Sequence, residues 1–387
     1  MLTAPTRFFT EDHEIFREQV RNFVTKEVHP HIDQWEEEAL FPKSLYQRMG
    51  ELGFLGIRHP VEYGGSAGDI WMTLVFCEEL CRCRALGLPT SVLVHTDMSS
   101  THIARNGTPE QKEKYLRPMI TGEAVCAIGV TEPSGGSDVA SIRTTAVKDG
   151  DSYVINGSKI FITNSVHADV FCVAAKTDKD AQARGISLFL VERDTPGFSL
   201  AKKLDKMGCH SSDTGELVFE DVRVPRHNLL GQEGKGFYYI MQNFQDERLI
   251  AASMAVSAAQ QALEDTLTYT RERETFGKRI FDHQVVSHRL ADMATELEAA
   301  RQLTYYAADV LASGRDCSTE VSMAKLYGCN MANKVAYECV QLHGGYGYMK
   351  EFAVERFYRD IRQSTIAGGS AEIMKEIIVK RGLDRDL

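Results

Sequence analysis

The sequence is poor in the features that mark secreted, metal-centred and nucleotide-fingerprint proteins. Its nine cysteines are scattered without a CxxC pair, and Cys81 and Cys83 stand nearest together. An odd number in a chain of 387 residues reads as reduced, buried thiols in a cytosol-like compartment. No Cys/His set has the spacing of a zinc finger or ribbon, so no metal is expected. There is no strand–GxGxxG–helix unit and no Walker loop. Positive charge is not in excess: the net charge of −10 argues against nucleic acid as a bulk partner, though not against a local basic pocket. No apolar run is long enough to span a bilayer. The opening stretch MLTAPTRFFTEDHE has neither an apolar signal core nor an Arg/Ser-rich transit pattern. The expected location is therefore cytoplasmic, or the mitochondrial matrix if the chain is a mature form.

What is present is an ordinary globular composition, 43% hydrophobic and 25% charged, with length for two or three domains. From Thr10 the pattern is helical. Ile15, Phe16, Val20, Phe23, Val24 and Val28 recur at helical spacing, with Thr10 as N-cap and Pro30 as the stop. Met72–Leu80 and Ser91–Arg105 read as further helices, the latter ending at Asn106-Gly107. From about Ala124 to Pro225 short β-rich runs take over, among them SYVING, KIFIT, DVFCVAA and GISLFLV. Asp149-Gly150 and Asn156-Gly157 read as turns between such runs. From Phe237 the chain is helical again. Ile240, Phe244, Leu249, Ala252, Val256, Ala259, Leu263 and Leu267 form one stripe. Val285–Ser313 and Val321–Leu342 read as two more long helices, suited to a bundle and to subunit association. The expected domains are 1–123 (helical), 124–228 (antiparallel β) and 229–387 (helical bundle).

Six separated stretches carry chemistry. In Ile128–Asp138 (IGVTEPSGGSD), Gly135 and Gly136 let backbone N–H groups approach a ligand, and Thr131 and Ser137 add hydroxyls. A polar loop between strands has the same composition. In Lys159–Asn164 (KIFITN), Phe161 and Thr163 taken alone are ordinary strand residues. Arg271–Gln284 (RERETFGKRIFDHQ) carries Arg273, whose fork suits a pyrophosphate, or else forms a solvated charged turn. Gln341–Glu351 (QLHGGYGYMKE) is a Gly-rich helix stop or a backbone approach to a ligand. In Gln245–Ala252 (QDERLIAA), Glu247 is a surface carboxylate or, given its apolar and aromatic neighbours, a buried one. A base that takes a proton from carbon needs the raised pKa that an apolar pocket gives. Arg248 is expected to hold a nearby carboxylate in a structural pair. The sixth stretch is Thr365–Ile373 (TIAGGSAEI).

Together these stretches resemble the acyl-CoA dehydrogenase family over Thr10 to about Arg381. The resemblance implies an N-terminal helical domain, a middle antiparallel β-barrel domain and a C-terminal four-helix bundle, usually assembled as a homotetramer. Most of the family has its catalytic glutamate at the position matching Gly368. The long-chain and isovaleryl-type branch has glycine there and places the glutamate at the position matching Glu247. This chain shows the branch pattern at both positions. Glu247 is thus implied as the base and Gly368 as the backbone donor to the thioester carbonyl.

FAD is the implied cofactor, lined by Ile128, Val130, Thr131, Gly136, Ser137, Phe161, Ile162 and Thr163. Ser134 replaces the usual first glycine of the family's TEPGxGSD stretch. The family pattern R-x-x-F-G-x-x-[IL]-x-x-x-Q falls on Arg273, Phe276, Gly277, Ile280 and Gln284, of which Arg273 and Gln284 are implied to reach a neighbouring subunit's cofactor and Phe276 to contact the cofactor as well. Gln341, Gly344, Gly345, Ser370 and Glu372 complete the cofactor set. Ser137, Gln245, Asp246, Arg248, Ala367 and Gly369 are the implied acyl-CoA contacts. Electrons would pass to an electron-transfer flavoprotein. Ala367 stands where the family commonly has tyrosine. The space so opened is filled by neighbouring side chains or by a branch near Cβ, as in a 3-methyl-branched thioester such as citronellyl-CoA. The implied substrates are medium-to-long acyl-CoAs. An oxidase or flavin monooxygenase on the same fold, and a scaffold without flavin, are the alternatives.

Overall fold

The protein is seen in a computed structural model that describes residues 7–384, so the outermost ends of the first and last expected domains lie outside the described residues. The N-terminal helices are α1 (Glu11–Phe23), α2 (Ile32–Glu38), α3 (Ser44–Glu51), α4 (Ile70–Leu80), α5 (Gly87–Leu93), α6 (Ser100–Asn106) and the short α7 (Pro109–Gln111) and α8 (Arg117–Thr121). Thr10 caps α1: the His13 backbone N–H donates to its hydroxyl while His13 Nδ1 accepts from the Thr10 N–H, a capping box. Pro30 does not stop the chain as expected. The helix widens into a π turn at Val24–Val28, tightens at His29–His31 and continues as α2. A proline in the first turn of a new helix loses no hydrogen bond, because that N–H has no helical partner. The expected helix Ser91–Arg105 is α5, a π turn at Val94–Ser99 and α6 in succession.

The middle region is one sheet of β1 (Cys126–Gly129), β2 (Thr145–Asp149), β3 (Ser152–Thr163), β4 (Val170–Lys176), β5 (Ile186–Glu192), β6 (Phe198–Lys203), β7 (Thr214–Pro225) and β8 (Leu229–Leu230). The order is β6-β7-β3-β2-β4-β5-β8, with β1 joined to β4. The sheet is mixed rather than wholly antiparallel, because β1 and β2 both run parallel to β4. Asp149-Gly150 does turn the chain, from β2 into β3. Asn156-Gly157 does not: SYVING and KIFIT are one strand, and the pairing with β7 shifts register there and again between Lys159 and Ile162. An Asn-Gly pair suits a bulge as well as a hairpin, since both admit a residue without Cβ crowding.

The C-terminal region is led by α9 (Gly236–Glu272), 37 residues long. A hairpin of β9 (Glu274–Thr275) and β10 (Lys278–Arg279) follows, then α10 (Gln284–Ala312), α11 (Ser318–His343), α12 (Ala353–Ile361) and α13 (Ala371–Ile378). The stripe on α9 is buried as its spacing predicts, with Phe244 and Leu267 only partly covered. One core cluster runs from Val20 in α1 through Ile155 in β3 to Ile361 in α12, so the three regions share a continuous interior. All nine cysteines are buried and unpaired.

Candidate active site

The base candidate is built on α9. Glu247 is 7% exposed. Burial pushes its carboxyl up to about 7, opposed by a hydrogen bond from Asn243 Nδ2 to Glu247 Oε1 at 3.0 Å and by the charge of Arg248. Asn243 lies one helical turn before Glu247 on the same face. A carboxyl poised near neutrality can be ionised to accept a proton and still hold it afterwards.

The neighbours of Glu247 take other roles than the sequence suggested. Asp246, expected at the substrate, is gripped by Arg58 Nη1 at 2.6 Å and Arg105 Nη2 at 2.8 Å, which hold its pKa down against burial. It is the structural ion pair that Arg248 was expected to supply. Arg58 also donates to Asp97 at 3.0 Å, tying α9 to the π turn between α5 and α6. Arg248 is buried, its guanidinium lies 5.3 Å from the Phe244 ring centroid, and its Nε has no partner among the described residues. Gln245 is turned away toward the α10–α11 connection: its Nε2 donates to Asp316, and its Oε1 accepts from Cys317.

The loop with Ile366, Ala367, Gly368 and Gly369 joins α12 to α13 and meets α9 at Arg248. A Cβ placed on Gly369 would come 4.0 Å from Arg248 Nε. Gly368 has φ +64°, a left-handed conformation that glycine adopts freely. Lys325 of α11, 1% exposed, donates through Nζ to the carbonyl oxygens of Gly369 and Ser364. Ser370 caps α13 by accepting from the Ile373 N–H, and Glu372 lies exposed in its first turn. The Gly368 loop thus lies beside Arg248, the residue that follows Glu247 on α9.

The flavin candidates lie on β1, the following loop and β3. The loop is clamped from below. Buried Lys159 donates to Glu132 Oε1 at 2.8 Å and to the Val130 carbonyl, while Glu132 accepts the N–H groups of Arg143 and Thr144. Glu132 and Gly135 pair across Pro133-Ser134, so Ser134 sits in a tight turn without a left-handed backbone. Ser137 and Gly136 are exposed, and Thr131, Ile128 and Val130 are partly buried. Phe161 has φ +61° and is 65% exposed, at the β3 bulge. A left-handed aromatic residue costs on the order of 1–2 kcal/mol, and such strain gathers at ligand-binding positions. A planar ring system laid against Phe161 fits this geometry, with partly buried Thr163 beside it. Ile162 departs from expectation: its side chain is 3% exposed and packs into the core, since alternate residues of a strand face opposite sides.

Both halves are anchored on one helical segment. Asn164, next to Thr163, donates to the Ser91 carbonyl, and Asn243 donates to the carbonyls of Asp97 and Met98. Six residues of helix separate those anchors, roughly 9 Å along the axis.

A third cluster forms at the far end of the bundle. The Arg273 guanidinium lies 5.7 Å from the Tyr346 ring centroid, bringing the β9–β10 hairpin to the Gly344–Gly345 turn. Phe276 is 96% exposed, and Gln284, Gln341, Gly344 and Gly345 are also exposed. The sequence reading missed Asn243, Arg58, Arg105, Lys325 and the Glu132–Lys159 pair. Only Asn243 carried a readable signal, its four-residue spacing from Glu247.

The comparisons with known proteins agree along the chain. Residues 10–123 match the family model "Acyl-CoA dehydrogenase, N-terminal domain", residues 127–222 the middle domain and residues 234–383 the C-terminal domain. The mitochondrial long-chain specific acyl-CoA dehydrogenase of Mus musculus is 42% identical over 97% of this chain and 87% of its own. A caffeyl-CoA reductase–Etf complex subunit of Acetobacterium woodii is 40% identical over 96% of this chain and 98% of its own. Among solved structures, an acyl-CoA dehydrogenase from Geobacillus kaustophilus superposes with TM-score 0.94 at 46% identity, covering 98% of this chain and 100% of that one. A Mycobacterium smegmatis glutaryl-CoA dehydrogenase in complex with FADH2 does so at TM-score 0.91 and 32% identity, covering 97% of this chain and 95% of that one.

Proposed function

The chain belongs to the acyl-CoA dehydrogenase family, a flavin-dependent family of oxidoreductases, and from that premise we propose that it desaturates acyl-CoA thioesters at Cα–Cβ with Glu247 as its base. The observation that carries the reading is the Glu247 carboxyl, buried on α9 and raised to about 7, with the next residue, Arg248, beside the Gly368 loop. Glu247 takes the α-proton as a general base. The Gly368 N–H donates to the thioester carbonyl, which makes the α-proton acidic enough to leave. Burial excludes water from the carboxyl and keeps its basicity near that of an imidazole.

FAD, when bound, supplies the hydride acceptor for the β-carbon. Thr131, Gly136, Ser137, Phe161 and Thr163 would hold it from one chain, with Arg273 and Gln284 of a neighbour in a homotetramer. The strained, exposed Phe161 supports that fit. An electron-transfer flavoprotein is the proposed electron acceptor, consistent with the Etf complex named for the Acetobacterium woodii relative. The proposed substrates are medium-to-long acyl-CoAs, with a 3-methyl branch accepted or preferred, in the manner of the long-chain and isovaleryl-type branch.

The test mixes the purified yellow protein with straight and branched acyl-CoAs without oxygen and follows bleaching of the flavin. Wild type should bleach and reoxidise slowly in air, which separates it from an oxidase. Glu247→Gln should keep its flavin and bind acyl-CoA, yet bleach slower by about two orders of magnitude or more. Near-normal bleaching in that variant overturns the assignment.

A further inference from the structure

Asn243 has no role in the reaction just described, yet every polar atom of its side chain is engaged. It is 1% exposed. Its Oδ1 accepts from Arg105 Nη1 at 3.0 Å. Its Nδ2 faces three acceptors: Glu247 Oε1 at 3.0 Å, the Met98 carbonyl at 3.2 Å and the Asp97 carbonyl at 3.3 Å. Two hydrogens are shared among three acceptors, so any acceptor that changes strength is felt by the others.

The direction of this amide follows from its partners. A guanidinium can only donate, so the atom facing Arg105 must be the oxygen. A backbone carbonyl can only accept, so the atom facing Asp97 and Met98 must be the nitrogen. A flipped amide would set donor against donor on one side and acceptor against acceptor on the other. Asn243 can therefore present only an N–H to Glu247. Arg105 is itself held by Asp246, and Asp246 by Arg58, so the orientation is enforced by a chain of ion pairs reaching α6 and the π turn.

We infer that Asn243 is a positioning residue that orients Glu247 and favours its charged form, by donating a hydrogen bond whose direction Arg105 and the two carbonyls impose. The inference rests on Glu247 being the base only for its effect on rate, not for its effect on the carboxyl. A donor favours the charged form of a carboxyl, and burial favours the neutral form. With the donor removed, burial acts unopposed from that side and the midpoint rises. The charged groups that act on the carboxyl are Arg248 and Asp246 on α9; Arg105 on α6 and Arg58 from the segment before α4 bind Asp246, Asp97 on the π turn binds Arg58, the buried His102 feels Arg105 and Asp246, and Lys325 on α11 feels Arg248. Burial lowers the pKa of His102, while Arg58 and Arg105 hold that of Asp246 down against burial, and Asp246 and Asp97 hold that of Arg58 up against it.

The experiment reads the carboxyl directly in the resting holoenzyme. The protonated-carboxyl infrared band of Glu247, identified by its loss in Glu247→Gln, is titrated in wild type and in Asn243→Leu, which keeps the bulk and removes the donor. The midpoint should move up by about one to two pH units, the size of one hydrogen bond to a charged group. The acid limb of flavin reduction should move with it. Asn243→Asp keeps both shape and a partner for Arg105, replaces the donor by a carboxylate oxygen, and is read from the acid limb alone. It carries the test if the leucine variant does not fold. A midpoint or limb that stays in place, or moves down, in whichever variant folds overturns the inference. If Glu247→Gln reduces flavin normally, the base assignment fails while the infrared midpoint still decides the role of Asn243.

Discussion

The Lys325 ammonium donates to the Gly369 carbonyl oxygen at 2.6 Å and to that of Ser364 at 3.2 Å. It has given up water for backbone carbonyls, and burial lowers its pKa accordingly. These bonds fix the Gly368 loop from the far side of α11. The loop therefore keeps its shape whatever stands at position 368, and a Cβ added there would lie 3.6 Å from Lys325 Cε, an ordinary contact.

Moving the base from helix to loop should accordingly be tolerated by the fold. Gly368→Glu places a Cβ in ordinary contact with Lys325 at φ +64°, at a cost of about 1–2 kcal/mol for the left-handed backbone. The single variant should fold with its flavin and a slightly lowered Tm. Combined with Glu247→Gly, it should reduce flavin measurably faster than Glu247→Gly alone if, as proposed, both positions face the α-carbon. No gain in the double variant would mean that the loop position does not reach the α-carbon in this chain.

The β9–β10 hairpin supplies a second prediction. Phe276 is 96% exposed at φ +53°, and Arg273 stands over Tyr346 beside the Gly344–Gly345 turn. An aromatic residue held in that conformation in water keeps little more than an edge contact with His283, ring centroids 6.3 Å apart, which suits a tip that seats on another subunit. Arg273→Ala should release FAD more readily and lower Tm through the lost binding linkage. Flavin content after gel filtration and a thermal melt with and without added FAD would measure both. If a dilute, demonstrably monomeric form holds FAD as tightly as the oligomer, the cofactor site is not shared.

How far the site was legible can be traced residue by residue. The burial of Glu247 was readable because the residues before it on the helix are apolar and aromatic. Asp246 was not, since its partners Arg58 and Arg105 lie 188 and 141 residues away in sequence. Arg248, adjacent to Glu247, looked the better ion-pair candidate, but successive residues on a helix point about 100° apart and do not meet. Ile162 was misplaced because strand alternation sends it into the core while Phe161 faces out. In the fold, helical stripes announced α9, α10 and α11 to within a few residues. The parallel pairing of β1 and β2 with β4 left no local mark, because it depends on which strand lies alongside and not on the strand's own pattern.

The substrate prediction turns on Ala367. Its backbone N–H donates to the Gln363 carbonyl at 2.9 Å, which sets it at the start of the turn that carries Gly368, and its side chain is exposed. Ile366 beside it is also exposed, at 60%. An aromatic ring here would cover the ground next to the reacting carbons, whereas a methyl group leaves it open. Apolar space beside a bound thioester is costly to leave empty, and a methyl branch on Cβ is worth about 1 kcal/mol when buried there. A 3-methyl-branched acyl-CoA should thus be reduced at least as efficiently as a straight chain of equal length, and Ala367→Tyr should lower kcat/KM for the branched substrate several-fold more than for the straight one. Steady-state kinetics on the matched pair of thioesters with both enzymes measures the difference. Equal losses on the two substrates, or no wild-type turnover of any branched thioester, would make Ala367 a packing residue and the protein a straight-chain enzyme.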